Sequence, residues 1–214
     1  MKPILLAQIQ SLESLLPQLG RIAQAEEQNK AFRPVLTPER EAFFRPETPA
    51  AIATWVDDSV TRNEVTEAAL RCPAGARVYW TDDSVGCAFP AGVGGVPVRH
   101  GLTLSFSPSG RLASQRFYEE GLLRWDISYH ASGGRSSQGF YCDRERFEQR
   151  AHGLITSFST HGTVTAQAWY FDGKRHGWSK LWEDDGFPIV GERFEHDQKI
   201  EEVLPDGTYR VVRS

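Results

Sequence analysis

The chain has only three cysteines in 214 residues, Cys72, Cys87 and Cys142, an odd number at wide spacing with no CxxC pair. That pattern argues against a disulfide framework or a structural zinc site and predicts buried thiols. Basic charge is not in excess: the net charge of -4 excludes a generally basic nucleic-acid binder, local patches aside. Long apolar runs are missing as well. The N-terminal run, Pro3 to Ala7, is broken by Gln8, Gln10 and Glu13. It is too short and too polar for a signal-peptide core, and no later stretch approaches a membrane span. The expectation is a cytoplasmic protein without a membrane partner.

Catalytic signatures are equally scarce. No HxH or HxxxH spacing gathers metal ligands on one element, and no G-x-S-x-G elbow is present. The GVGG run at 92–95 lacks the Gly-Lys-Ser/Thr ending of a phosphate loop. No catalytic, cofactor-binding or metal-ligating residues are therefore expected.

Glycine divides the chain. Residues 1–74 hold a single glycine, Gly20, whereas residues 75–214 hold the other eighteen; seven of the twelve prolines lie in the first part. Proline suits helix starts, while tight β-turns demand glycine. Ile4, Leu5, Ile9, Leu12, Leu15, Leu16, Leu19 and Ile22 recur at three- and four-residue steps, predicting an amphipathic helix that Pro17 interrupts. Thr37-Pro38 and Thr48-Pro49 read as two further helix starts. The predicted fold class is α+β: an N-terminal helical domain over residues 1–74, then an antiparallel β-sheet of repeated hairpins over residues 75–214.

The second region repeats. His-Gly pairs occur at His100-Gly101, His152-Gly153 and His176-Gly177. Five residues beyond each glycine stands an aromatic (Phe106, Phe158, Trp182), and nine beyond stands another glycine (Gly110, Gly162, Gly186). Later in each unit come a second aromatic (Tyr118, Tyr170, Phe194) and a turn residue (Gly121, Gly173, Asp197). A copy without His-Gly fits between, with Tyr129, Gly133 and Tyr141 in register and extra residues around Arg144 to Arg150. A weaker copy with Gly75, Trp80 and Gly86 precedes the array, and a partial one ends at Pro205-Asp206-Gly207. Each unit predicts two strands around a glycine turn, and stacked units must share one sheet to bury their apolar face. The six aromatics are expected on one side of that sheet.

The stretches GKRHGWSKLWEDDGFPIVGERFEHDQKI, RHGLTLSFSPSGRLASQRFYEEG and AHGLITSFSTHGTVTAQAWYFDG resemble the MORN-variant repeat, across roughly residues 99–207. The late turns depart from the family's usual Asn-Gly, reading Glu120-Gly121, Asp172-Gly173 and Asp197-Gln198. Such an irregular array is expected to be one fixed sheet. The resemblance implies a bacterial immunity protein or antitoxin that occludes a cognate protein toxin, a nuclease effector among the candidates, without enzymatic activity. The alternative it implies is a non-enzymatic scaffold or regulatory interaction module. Residues 1–74 resemble no known family.

Charge suggests where a toxin would bind. Residues 183–206 carry nine acids against Arg193 and Lys199, a local charge of -7. Such a run is commonly a solvated face. It would also match a basic active-site surface on a partner, with carboxylates standing in for nucleic-acid phosphates. The expected partner-binding residues are Glu183, Asp184, Asp185, Glu192, Glu195 and Asp197.

Overall fold

The computed structural model describes residues 33–48, 56–91, 95–143 and 149–212. The chain divides into two units, residues 1–38 and 39–214, and the β-structure belongs to the second. Among the described residues the fold is one antiparallel sheet of thirteen strands with two short α-helices, α1 (Pro38–Phe44) and α2 (Glu67–Leu70). The α+β expectation with an N-terminal helical domain is thereby overturned. The amphipathic stripe Ile4–Ile22 and its Pro17 break lie outside the described residues, as do Pro49 and the residues to 55 of the helix expected after Thr48. A helix does begin at Pro38. The residues after Val56 are instead mostly irregular, and their own side chains account for it. Asp57 accepts from the Ser59 amide and hydroxyl, Thr61 forms a capping box with Glu64 around a single 3-10 turn (Arg62–Glu64), and Thr66 caps α2. Ser, Thr and Asp that bond to nearby backbone stop a helix as readily as they start one. Scarce glycine excluded glycine hairpin turns here without specifying helix, and Asp57 to Val60 still closes a turn.

The strands are β1 (Arg77–Trp80), β2 (Ser84–Phe89), β3 (Val98–Phe106), β4 (Leu112–Glu119), β5 (Leu122–Tyr129), β6 (Arg135–Asp143), β7 (Gln149–Ala151), β8 (Gly153–Phe158), β9 (Val164–Phe171), β10 (Lys174–Trp182), β11 (Pro188–Glu195), β12 (Gln198–Val203) and β13 (Tyr209–Val211). They pair in chain order, except that β6 turns from β8 to the short β7 at its far end. The predicted units are the hairpins β3–β4, β5–β6, β8–β9 and β10–β11, with β12–β13 the partial copy.

The repeat is visible in the bonding. Gly110, Gly133, Gly162, Gly186 and Gly207 each donate to the carbonyl three residues earlier, closing five like turns along one end of the sheet. Each of these glycines has a positive φ. At the other end the amides of Gly121, Gly173 and Asp197 donate to the carbonyls of Arg99, Ala151 and Arg175 respectively. Asp197 does this at φ 70°, a left-handed conformation unusual for a residue with a Cβ. The weak first copy is out of register: Gly86 lies within β2 opposite Thr103, not in a turn.

The six repeat aromatics split between the two faces, against the expectation of one. Phe106, Phe158 and Trp182 share a face with Leu104, Thr156 and Lys180, their neighbours two residues back. Tyr118, Tyr170 and Phe194 pair with Gly101, Gly153 and Gly177 on the other. A bulge beside each turn causes this. Phe106 pairs with Leu112 while Ser105 pairs with Ser114, so Ala113 is skipped; the same occurs at Phe158 and Trp182. One extra residue reverses the alternation of every residue after it.

One face is covered by residues 43–47 and 56–72, which run across it as a largely irregular segment. The core lies beneath: Val56, Val65 and Leu70 pack on Val85, Leu102, Leu104, Phe106, Leu112 and Ile127. Cys72 and Cys87 are joined by a disulfide, which corrects the expectation of free thiols there; Cys142 is free. Their separation of 15 residues gave no sequence signal, because the pairing depends on β2 lying beneath the covering segment.

Candidate binding surface

Strand register sets one row of side chains across the covered face: Leu104, Gln115, Ile127, Gln138, Thr156, Gln167, Lys180 and Gly191. Gln115, Gln138, Thr156 and Gln167 are all buried. Buried amides need partners, and Gln167 and Gln115 find them on the covering segment's main chain. The Gln167 carbonyl accepts from the Glu47 amide at 2.8 Å, and its NH2 donates to the Glu47 carbonyl at 2.7 Å. Gln115 donates to the Val56 carbonyl at 3.4 Å and to the Tyr129 hydroxyl at 2.7 Å. Beyond Gln167, Lys180 donates to the Phe43 carbonyl at 2.5 Å and Trp182 to the Phe44 carbonyl at 2.8 Å. Burial lowers the Lys180 pKa, with Glu47 opposing. Gly191 completes the row for a steric reason: a Cβ there would stand 2.7 Å from the Phe43 ring. This face therefore holds a non-strand segment largely by its backbone, through side chains placed one per strand.

A second row on the same face is apolar. Leu102, Phe117, Trp125 and Phe140 align by register, and Leu154, Trp169 and Trp178 continue the row across β8 to β10. Trp125 stacks on Phe117 at 5.8 Å, Trp178 meets Phe43 edge-on at 4.8 Å, and Trp169 donates to the Glu47 carboxylate. Counting alternation outward from Leu102 would have found these rings. Following only the most regular spacing missed them.

At the edge of the covering segment lies a cleft of about 560 Å³ lined by Asp57, Asp58, Ser59, Thr61, Arg111, Leu112, Ser132 and Gly133. Both of its carboxylates are engaged. Asp57 is held below its usual pKa by the Ser59 hydroxyl and amide. Asp58 accepts from the Tyr129 hydroxyl at 2.6 Å and from Arg135 Nε at 2.8 Å. On the opposite face Asp126 accepts from Tyr141 at 3.2 Å, and burial raises its pKa above the ordinary carboxylate value. Burial and the neighbouring Asp126 push the Tyr141 phenol up to about 12.

The histidines of the repeat line one end of the sheet. His100 Nδ1 accepts from the Glu120 amide at 3.0 Å and its ring stacks on Phe89. The rings of His152, Phe171, His176 and His196 form a contact chain nearby. Among the described residues no three His, Cys, Asp or Glu side chains are grouped as a metal site. No helix among them is long and apolar enough to cross a membrane.

The six acids expected to bind a partner are not brought together. Glu183, Asp184 and Asp185 are exposed on the β10–β11 turn, at the end of the sheet that also carries Asp206 in the β12–β13 turn. Glu195 and Asp197 are exposed at the β11–β12 turn, at the opposite end. The eight residues of β11 keep the two groups roughly 25 Å apart. Glu192 lies between them within the strand, paired with Lys199 at 3.0 Å, and Asp197 pairs with Arg175 at 3.7 Å.

No protein-family model matches the chain, and neither does any curated protein. Among solved structures, a GtfA/B complex is 12% identical over 57% of this chain and 22% of its own, with a TM-score of 0.33. A Glycosylation Associate Protein (Gap123) complex from Streptococcus agalactiae is 12% identical over 68% of this chain and 22% of its own, with a TM-score of 0.27. TarM, at 7% identity over 64% of this chain and 21% of its own, has a TM-score of 0.19. The chain spans about a fifth of the length of these proteins, and likeness at this level carries no functional argument.

Proposed function

We propose that this chain is a non-enzymatic, cytoplasmic binding protein of the MORN-variant repeat type, an immunity protein or antitoxin that blocks one cognate toxin stoichiometrically. The observation that carries the reading is the exposed turn Glu183-Asp184-Asp185, with Asp206 exposed on the next turn of the same end. A row of acids on turns of a fixed sheet suits a basic groove, where carboxylates occupy the positions of phosphates and steer encounter. Glu192 leaves the proposed contact because it lies within β11, ion-paired with Lys199, and Glu195 and Asp197 leave it because they face the other end. The test is co-expression with a toxin-like protein encoded beside it, scored by growth, together with capture of the pair. Protection and a one-to-one complex support the reading. Growth arrest without a complex favours the scaffold alternative.

A further inference from the structure

We propose that Cys72 and Cys87 are a redox modification site, a thiol–disulfide latch that closes the end of the covering segment onto β2 and opens under reducing conditions. The inference rests on the cytoplasmic part of the proposed function, because a cytosolic disulfide is more often transient and redox-sensing than permanent.

The geometry gives the two sulfurs different roles. Cys87 is fully buried, with its Sγ 3.9 Å from the Leu70 carbonyl, whereas Cys72 is partly exposed. Cys72 is therefore the more accessible partner for an attacking thiol. Thiolate attack there forms a mixed disulfide with Cys72 and expels Cys87 as the thiolate, which takes up a proton. A second thiol then releases Cys72, so two electrons and two protons pass to the protein and the attacking pair becomes a disulfide. Closing runs in reverse against oxidised glutathione. The Cys72 thiolate takes one glutathionyl group, Cys87 displaces it, and two molecules of reduced glutathione leave.

The latch acts on a defined element. Between Leu70, fully buried in the core, and Cys72 stands Arg71, exposed and in the left-handed conformation at φ 45°. On the other side of α2, Arg62 fixes the segment by donating to the Thr81 and Asp82 carbonyls. The bridge is thus the covalent anchor of the α2 end. With it open, the peptide bond after Arg71 loses its constraint on one side.

Trypsin reads this directly. The full-length protein is equilibrated in glutathione buffers from fully reduced to fully oxidised, then digested briefly, with cleavage after Arg71 and alkylation of Cys72 followed by mass spectrometry. We expect the bridge to titrate within this range, and cleavage after Arg71 to be at least about tenfold faster in the reduced form. A Cys72→Ser/Cys87→Ser variant should be cleaved fast in every buffer, and Cys142→Ser should follow the wild type. A bridge that persists in all buffers, one that never forms, or equal cleavage in both states would each overturn the latch. Should the double variant not fold, the wild-type titration decides alone. Toxin capture is scored separately, so loss of the latch and loss of the binding reading are distinguishable.

Discussion

Gln167 brackets the main chain at Glu47, accepting from its amide and donating to its carbonyl. One side chain thus does for an irregular segment what a neighbouring strand does within a sheet. Replacing it with leucine would leave both backbone groups of Glu47 without their partners. Glu47 is exposed and the two bonds are partly buried, so each is worth about 0.5–1.5 kcal/mol, and Gln167→Leu should lower stability by roughly 1–3 kcal/mol in urea unfolding. A loss under about 0.5 kcal/mol would mean that water already serves Glu47.

Trp182 combines a buried ring with a bond to the Phe44 carbonyl. Trp182→Ala should cost about 3–5 kcal/mol, a large share of the roughly 5–15 kcal/mol that holds an ordinary domain folded. Trp182→Phe keeps most of the ring and loses the bond, and should cost about 1–2 kcal/mol. Thermal melts of the two variants separate packing from bonding; equal losses would assign the whole effect to the bond.

How much of this was legible in the sequence follows from which interactions are local. Turn glycines repeat because each turn needs its own positive φ, so Gly110, Gly162 and Gly186 announced the hairpins. The faces were not legible, because the bulge opposite Phe106 reverses alternation without changing the spacing from Phe106 to Tyr118. Nor was the covering segment. Residues after Val56 take their path from Gln115, Tyr129 and Arg135, which lie far along the chain. The disulfide was hidden for the same reason. The acidic run 183–206 was visible as charge, but strand pairing sends its members to opposite ends of β11.

Asp126 gives stability a pH dependence with a definite sign. Burial is the first cause of its raised pKa, only partly opposed by Tyr141, Arg116 and Ser128. A carboxyl whose folded pKa exceeds its unfolded value favours folding while protonated. That contribution is complete below the unfolded value near 3.8 and is lost as pH rises through the folded pKa. Asp126→Asn removes the titration and keeps an acceptor for Tyr141. It should be more stable than wild type at about pH 7, with the advantage fading towards about pH 3.5. Urea unfolding across that range checks this, and an advantage constant with pH would exclude titration of Asp126 as its source.

The two acidic ends of the C-terminal hairpins can be told apart kinetically. Long-range charge acts mainly on encounter, raising association rates most at low ionic strength, while buried contacts set dissociation. If the partner docks at the end bearing Glu183, Asp184 and Asp185, their replacement by lysine places repulsion directly in its path. Association should then slow on the order of tenfold at low salt, with the difference shrinking as salt screens it. Lysine at Glu195 and Asp197 alters charge at the other end, roughly 25 Å away and beyond a Debye length of about 8 Å at physiological salt. That variant should associate at nearly the wild-type rate in physiological salt. Stopped-flow association with the purified toxin, measured against ionic strength for both variants, decides the matter. A slow Glu195/Asp197 variant beside an unaffected triple variant would move the contact to the histidine-lined end. Unchanged rates for both would show the acids to be a solvated face.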